Sequence, residues 1–232
     1  MTRILDYTGI QPNPPPPVIR IRNGERVEIV KHRIVRGKVA ERRPRDVDMV
    51  VLHQTACVFG NPNPRDPDGR YKRAMGVACH VLAFRDGVVA FPNPLPWYVY
   101  HGNGFNKRSL GEEIEGHFPG LPDDPTTPRR EDIQSTWGNE PTPLTPEGLE
   151  AAREGLRLLT YKAKAWGADI KYLAAHRQSS KTRQSDPGWE PWKKVAVEFG
   201  ERVMGLTLVP DLVVGDGRAI PRAWDPRQAD RY

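Results

Sequence analysis

The stretch that decides the fold reads Ala174-Ala175-His176-Arg177-Gln178-Ser179-Ser180-Lys181-Thr182-Arg183-Gln184-Ser185-Asp186-Pro187-Gly188. A histidine closes an apolar run, a polar loop follows, and an Asp-Pro-Gly sequence ends the loop before an aromatic helix start. This order places two side chains that can bind a metal, His176 and Asp186, on one turn.

His53 is the best candidate for a third metal ligand. It closes the run Val50-Val51-Leu52-His53, which predicts a buried strand that carries an imidazole to the edge of a sheet. Two histidines, one carboxylate and an open fourth position are the ligands of a hydrolytic zinc site rather than of a structural one. For either histidine taken alone, the alternative is an ordinary hydrogen-bonded histidine near a strand end.

Four blocks of sequence resemble, in the same order, the zinc-dependent N-acetylmuramoyl-L-alanine amidases, the type that includes a phage lysozyme, the muropeptide-recycling amidase and the peptidoglycan recognition proteins. The blocks are residues 50–53, 78–87, 109–116 and 176–188. The resemblance implies an α/β fold in which helices flank a central mixed β-sheet. It also implies that His53, His176 and Asp186 bind Zn²⁺, with aspartate as third ligand as in the recycling-type members.

The resemblance also implies catalytic roles. Residues 109–113 match the pattern Ser-x-Gly-x-Glu of the recycling-type amidases, so Glu113 is expected to be the general base. A general base takes a proton from the attacking water and returns it to the leaving alanine nitrogen; the alternative is a plain charge at the rim of the site. The recycling-type members have lysine where this chain has Gln184, so Gln184, Lys181 or Arg183 is expected to stabilise the oxyanion.

Candidates for substrate binding surround the catalytic strand. His80, His101, Asn106 and Arg108 are expected to line a groove, where they would contact muramyl oxygens or peptide carboxylates. Packing behind the metal site is an equal alternative for His80, and a solvated loop position is an equal alternative for Asn106 and Arg108. Glu112 stands where the family generally has an apolar residue, so its face of the strand is expected to be less buried than usual.

Composition narrows the class of protein. The 232 residues include 24 prolines and 21 glycines, with 38% hydrophobic residues, which indicates one domain with many loops. The net charge of +6 favours polyanionic partners such as the acidic polymers of the bacterial wall. Because the charge is dispersed, no specific nucleic-acid binding is expected. Cys57 and Cys79 could form one disulfide, but two free thiols are favoured in a cytosolic chain.

No apolar segment suggests a signal peptide or a membrane span, since no run approaches about 20 apolar residues. We therefore expect synthesis in the cytoplasm without a signal peptide. An enzyme acting on the cell wall would then need a holin-type or secretion partner, whereas a recycling enzyme would act in the cytoplasm. A monomer is expected.

Three parts are predicted along the chain: an extended proline-containing arm with a β-hairpin in residues 1–44, an amidase-like catalytic domain in 45–205, and a C-terminal tail in 206–232. The hairpin turns at Asn23-Gly24. Core strands are predicted near residues 49–53, 78–84, 88–91, 97–101, 110–115 and 170–174, and helices at 145–167 and 189–204. The long segment 118–144 is predicted to be a loop that shapes substrate choice.

The sequence thus predicts a zinc hydrolase that cleaves the amide between N-acetylmuramic acid and L-alanine, in polymeric peptidoglycan or in released muropeptides. Two alternatives remain open. One is a peptidoglycan-binding module of the same fold without turnover, in which Gln184 marks lost catalysis. The other is an interaction protein whose proline arm and tail regulate a partner.

Overall fold

The computed structural model of the chain describes residues 2–22, 24–61, 63–121, 141–225 and 227. The strands are β1 (Arg3–Asp6), β2 (Val18–Arg22), β3 (Glu25–Ile29), β4 (Ile34–Val35), β5 (Lys38–Val39), β6 (Met49–Gln54), β7 (Val81–Ala83), β8 (Val88–Phe91), β9 (Ser109–Ile114), β10 (Tyr172–Ala175) and β11 (Thr207–Leu208). The helices are α1 (Gly69–Lys72), α2 (Pro146–Trp166) and α3 (Trp189–Pro191), which continues as a π-helix (Trp192–Glu201).

Seven strands form the central sheet, in the order β1-β8-β7-β9-β6-β10-β11. The β7–β8 pair is antiparallel, and all other neighbours in this sheet are parallel. The predicted mixed sheet with flanking helices is therefore confirmed. Because β6, β9 and β10 run in the same direction, their carboxyl ends meet at one edge of the sheet, where ligands usually bind in such folds.

Helix α2 begins and ends where the sequence predicts. The Thr145 side chain accepts a hydrogen bond from the Gly148 N–H, Pro146 occupies the first turn, and Gly167 closes the helix in a left-handed conformation. The apolar stripe of α2 packs on one face of the sheet together with the π-helix. The opposite face is packed by two smaller apolar clusters, one around Leu82 and Phe84 and the other around Val51 and Phe105.

The N-terminal part is joined more closely to the sheet than an arm would be. Strand β1 pairs with β8 over its whole length, so it covers the edge of the sheet that β8 would otherwise expose. The predicted hairpin forms as a separate two-stranded sheet of β2 and β3. The C-terminal tail also docks on the core, because β11 pairs with β10 while Leu212 and Val214 pack against a buried cluster around Phe105.

Two expectations differ from the structure, and a third lies outside the described residues. The segment 97–101 forms isolated bridges to Glu41 and His32 instead of a strand. Most of the predicted loop, residues 122–140, lies outside the described residues. Glu112 was expected on a less buried face, but it is fully buried beneath α2. Both cysteines are free thiols, and no helix in the described ranges is long and apolar enough to cross a membrane.

Candidate active site

Two neighbouring strands bring the predicted metal ligands together. His53 is the penultimate residue of β6, and His176 directly follows β10, the parallel neighbour of β6. The loop after His176 returns Asp186 to the same place, since the Arg177 N–H donates to the Asp186 main-chain oxygen. The Gln54 N–H donates to Asp186 Oδ1 at 3.0 Å and so orients the carboxylate.

The ligand atoms of the three side chains converge. His53 Nδ1 lies 2.9 Å from His176 Nδ1, and His176 Nδ1 lies 3.0 Å from Asp186 Oδ2. All three ligand atoms lie within 4.8 Å of one another, and all three residues are buried. Atoms sharing one tetrahedral zinc ion lie about 3.3 Å apart. The two shorter separations, 2.9 and 3.0 Å, lie a few tenths of an ångström below this spacing, so the set of donor atoms suits zinc.

The protonation of these groups suits a metal. Burial, followed by the nearby His176 and His101, lowers the pKa of His53 well below its usual value. A neutral imidazole is the form that binds metals. A metal ion would also offset the two acidic groups that the site holds close together, Asp186 and Glu113.

Glu113 lies directly beside the ligands. It is the register partner of His53 on the adjacent strand β9, and its Oε2 is buried with no hydrogen-bond partner among the described residues. Burial first, and then the charge of Asp186, raises the pKa of Glu113 well above its usual value. The charges of Arg183 and Lys31 act in the opposite direction. The arrangement places a carboxyl group that can exchange a proton beside the three converging side chains.

The residues expected to stabilise an oxyanion do not all lie near Glu113. Lys181 lies at the surface, with its Nζ 3.7 Å from Asp216 Oδ2, instead of facing Glu113. Gln184 is half-buried, and its main-chain oxygen accepts a hydrogen bond from Arg177. Lys31 is a basic residue that the sequence did not single out. Its main-chain oxygen accepts a hydrogen bond from the Tyr100 N–H, and its positive charge acts to lower the pKa of Glu113.

The residues expected to line a substrate groove form hydrogen bonds within the protein. His80 is fully buried, and its Nδ1 accepts the Gly111 N–H at 3.0 Å. Asn106 is buried and ties the turn at 101–102, since its Oδ1 accepts both main-chain N–H groups. His101 is buried against His53, with its Nδ1 3.0 Å from His53 Nε2, and burial lowers the pKa of His101 to about 3.

Arg108 lies at the amino end of β9, away from Glu113. It precedes β9, so about 16 Å of extended strand separates it from Glu113. Its guanidinium instead holds Asp48 with two hydrogen bonds, of 2.8 and 2.6 Å. The structure thus places three of these candidates, His80, His101 and Asn106, in buried positions, and it pairs Arg108 with Asp48 at the opposite end of β9.

Several residues that support the site were not predicted from the sequence. Gln54 orients Asp186 through its main chain, and the buried Arg42 donates to the main-chain oxygens of Asn106 and Ser109. Because these contacts join residues far apart in the chain, no local pattern marked them. No sequence pattern distinguishes Lys31 from the other basic residues of segment 24–38, which are Arg26, Arg33, Arg36 and Lys38.

Comparison with known protein families agrees with this geometry. The N-acetylmuramoyl-L-alanine amidase family (Amidase_2) matches residues 43–189, which is more than half of the chain. The chain belongs to the N-acetylmuramoyl-L-alanine amidase family. The matched range contains all three converging ligands and Glu113. No curated protein sequence matches this amidase-family chain.

Solved structures resemble this member of the amidase family at low identity. The endolysin N-acetylmuramoyl-L-alanine amidase LysCS from Clostridium intestinale URNW is 16% identical with a TM-score of 0.47, over 89% of this chain and 98% of that chain. The Ph2119 endolysin from the Thermus scotoductus MAT2119 bacteriophage is 20% identical with a TM-score of 0.41, over 80% and 92%. Bumblebee PGRP-SA is 15% identical with a TM-score of 0.48, over 90% and 99%.

Proposed function

We propose that this protein is a zinc-dependent hydrolase that cleaves the amide bond between N-acetylmuramic acid and L-alanine. The observation that supports this most directly is the convergence of His53, His176 and Asp186 beside Glu113, which is half-buried with its Oε2 atom enclosed. Membership in the amidase family supplies the substrate class. The proposal requires that the converging side chains hold Zn²⁺.

The chemistry that zinc supplies when bound is Lewis-acid polarisation of a carbonyl and a lower pKa for water at the open position. The residues of the chain would do the rest. Glu113 Oε2, which has no partner among the described residues, would accept the proton of the attacking water. The same carboxyl group would then return the proton to the alanine nitrogen as the amide bond breaks.

The positive charge near the reacting carbonyl would come from Arg183 and Lys31. Their charges affect the Glu113 carboxyl, whereas Lys181 pairs with Asp216. Gln184 could add a hydrogen bond to a developing oxyanion, and removing one such donor typically costs about 100- to 1000-fold in rate. Gln184 is also the observation that favours the second candidate function, peptidoglycan binding without turnover.

The first prediction tests turnover and metal together. Purified peptidoglycan and a soluble muropeptide are digested with the wild-type protein, with and without a chelator, and the products are identified by mass spectrometry. We expect release of free stem peptide that stops with the chelator and returns when zinc is added. The His53→Ala variant should lose this release, since it lacks one of three ligands.

The matched control is His32→Ala. His32 is a buried histidine like His53, but its ring bonds to Asn93 and not to the proposed ligands. This variant should keep its activity. Binding of both substrates without product, despite bound zinc, would favour the non-catalytic function. The preferred substrate would distinguish a lytic enzyme, delivered to the wall by a holin-type or secretion partner, from a recycling enzyme of the cytoplasm.

A further inference from the structure

His101 is hydrogen-bonded to a proposed zinc ligand, and its other contacts determine the direction of that bond. We propose that His101 is a positioning residue that holds His53 in the tautomer whose Nδ1 lone pair faces His176 and Asp186. The inference rests on the proposed zinc site. It assigns His101 a role in metal affinity in place of the substrate contact expected from the sequence.

His101 Nε2 faces two oxygen atoms of Ser109. It lies 3.2 Å from the main-chain oxygen and 3.3 Å from Oγ. The main-chain oxygen can only accept, and the Ser109 hydroxyl donates its proton to the Phe105 oxygen at 2.8 Å. Both oxygens are therefore acceptors toward the ring. His101 must carry its proton on Nε2.

A neutral imidazole has one N–H and one acceptor nitrogen. Because Nε2 of His101 carries the proton, its Nδ1 accepts a hydrogen bond. The atom 3.0 Å away is His53 Nε2, which must then be the donor. His53 consequently has its lone pair on Nδ1, the atom 2.9 Å from His176 Nδ1. His53 thus donates to His101, His101 donates to Ser109, and Ser109 donates to the Phe105 oxygen. This direction leaves the lone pair of His53 Nδ1 facing the proposed metal position.

The loop that carries His101 is built to hold the ring still. Asn106 Oδ1 accepts the main-chain N–H groups of His101 and Gly102 at 2.9 and 2.6 Å. The ring lies against Gly111 of β9, where a Cβ atom would stand 2.7 Å from His101 Cγ and Nδ1. A side chain at position 111 would displace the ring. Fixed partners of this kind orient metal-binding histidines and typically contribute about 10- to 100-fold in metal affinity.

The experiment measures zinc affinity by competition with a chromophoric chelator, a readout independent of catalysis. We expect His101→Leu to bind zinc about 10- to 100-fold more weakly than the wild type. His101→Asn should retain more affinity than His101→Leu, because its Oδ1 can replace the Nδ1 acceptor. His32→Leu is the matched control, since it removes an equally buried imidazole that does not contact His53, and should bind like the wild type.

A measurement on the metal-free wild-type protein needs no variant. Long-range nitrogen–proton NMR spectra of the histidine rings should show both His53 and His101 protonated at Nε2. A His53 ring protonated at Nδ1, or equal zinc affinity in His101→Leu and the wild type, would overturn the inference. Failure of the wild type to bind zinc at all would instead overturn the proposed function.

Discussion

Glu112 and Glu113 stand at successive positions of β9, and the sheet places them in two different environments. Glu113 lies among charged groups on the side of the proposed metal ligands. Glu112 points to the opposite face, where one carboxyl oxygen lies near Gly155 of α2, and neither oxygen has a hydrogen-bond partner among the described residues. One strand therefore carries a carboxyl group at the site and another within the core.

The pKa is raised well above its usual value in both residues, but the causes differ. For Glu112 burial is the whole cause, whereas for Glu113 the charge of Asp186 adds to burial, and Arg183 and Lys31 oppose it. A raised pKa marks catalysis only when the surroundings include groups that can take part in a reaction. The comparison predicts that the two carboxyl groups can be separated by experiment, one affecting turnover and the other affecting stability.

The largest expected effect is on turnover. Glu113→Gln removes the proton acceptor with almost no change of shape, and general acid–base catalysis typically contributes about 100- to 10,000-fold. We expect a loss of kcat in this range, with zinc affinity retained. Release of stem peptide, followed by mass spectrometry, is the measurement.

Glu112→Gln is the matched control, because it makes the same chemical change one residue away. It should retain activity within a few-fold of the wild type, since position 112 faces α2. Equal losses in the two variants would show that the strand as a whole, and not the position of one carboxyl group, determines turnover.

The second effect is on stability. A buried polar group left without a partner costs about 1 to 3 kcal/mol, so Glu112→Leu should raise the free energy of unfolding by about this amount at neutral pH. Urea denaturation of the wild type and the variant measures the difference. A lower free energy of unfolding in Glu112→Leu would mean that the carboxyl group has a stabilising partner.

The pH dependence gives a sharper form of the same test. The unfolded chain releases the Glu112 proton near pH 4.3, whereas the folded protein keeps it to a higher pH because burial raises the folded-state pKa. The folded state then binds more protons, so its stability falls as pH rises above about 4.3, by at most about 1.4 kcal/mol per pH unit. Glu112→Gln should lack this part of the slope. If the free energy of unfolding had the same slope against pH in the wild type and in Glu112→Gln between pH 5 and 8, burial of the Glu112 carboxyl group would not be the cause of the pH dependence.

The sequence predicts the convergence of His53, His176 and Asp186 better than it predicts the residues around them, for a physical reason. His53 and His176 lie at the carboxyl ends of apolar strands, and neighbouring parallel strands place these ends at the same edge of the sheet. The position of Arg108 depends on where its loop lies relative to β9. That loop lies at the amino end of the strand, where Arg108 meets Asp48.

The same reasoning explains the errors about burial. Glu112 suggested an open face because a charged residue rarely lies under a helix. The structure accommodates it opposite Gly155, which lacks the Cβ that would stand 2.8 Å from Glu112 Oε1. A glycine inside a helix pattern was the available signal, but only the packing of α2 on β9 shows which side chain requires it.

The smallest expected effect tests that packing. Gly155→Ala favours the helix by about 1 kcal/mol. The added methyl group must also displace the Glu112 carboxyl group, which opposes this gain. The net change in the free energy of unfolding should therefore be below about 1 kcal/mol. In a Glu112→Ala background the space is open, and the same substitution should stabilise by its full helix contribution and fill part of the cavity. A double-mutant cycle of urea denaturation measures this coupling, which we expect at about 0.5 to 1 kcal/mol. Strict additivity would mean that Gly155 is not required by Glu112, and the burial of the carboxyl group would then need another explanation.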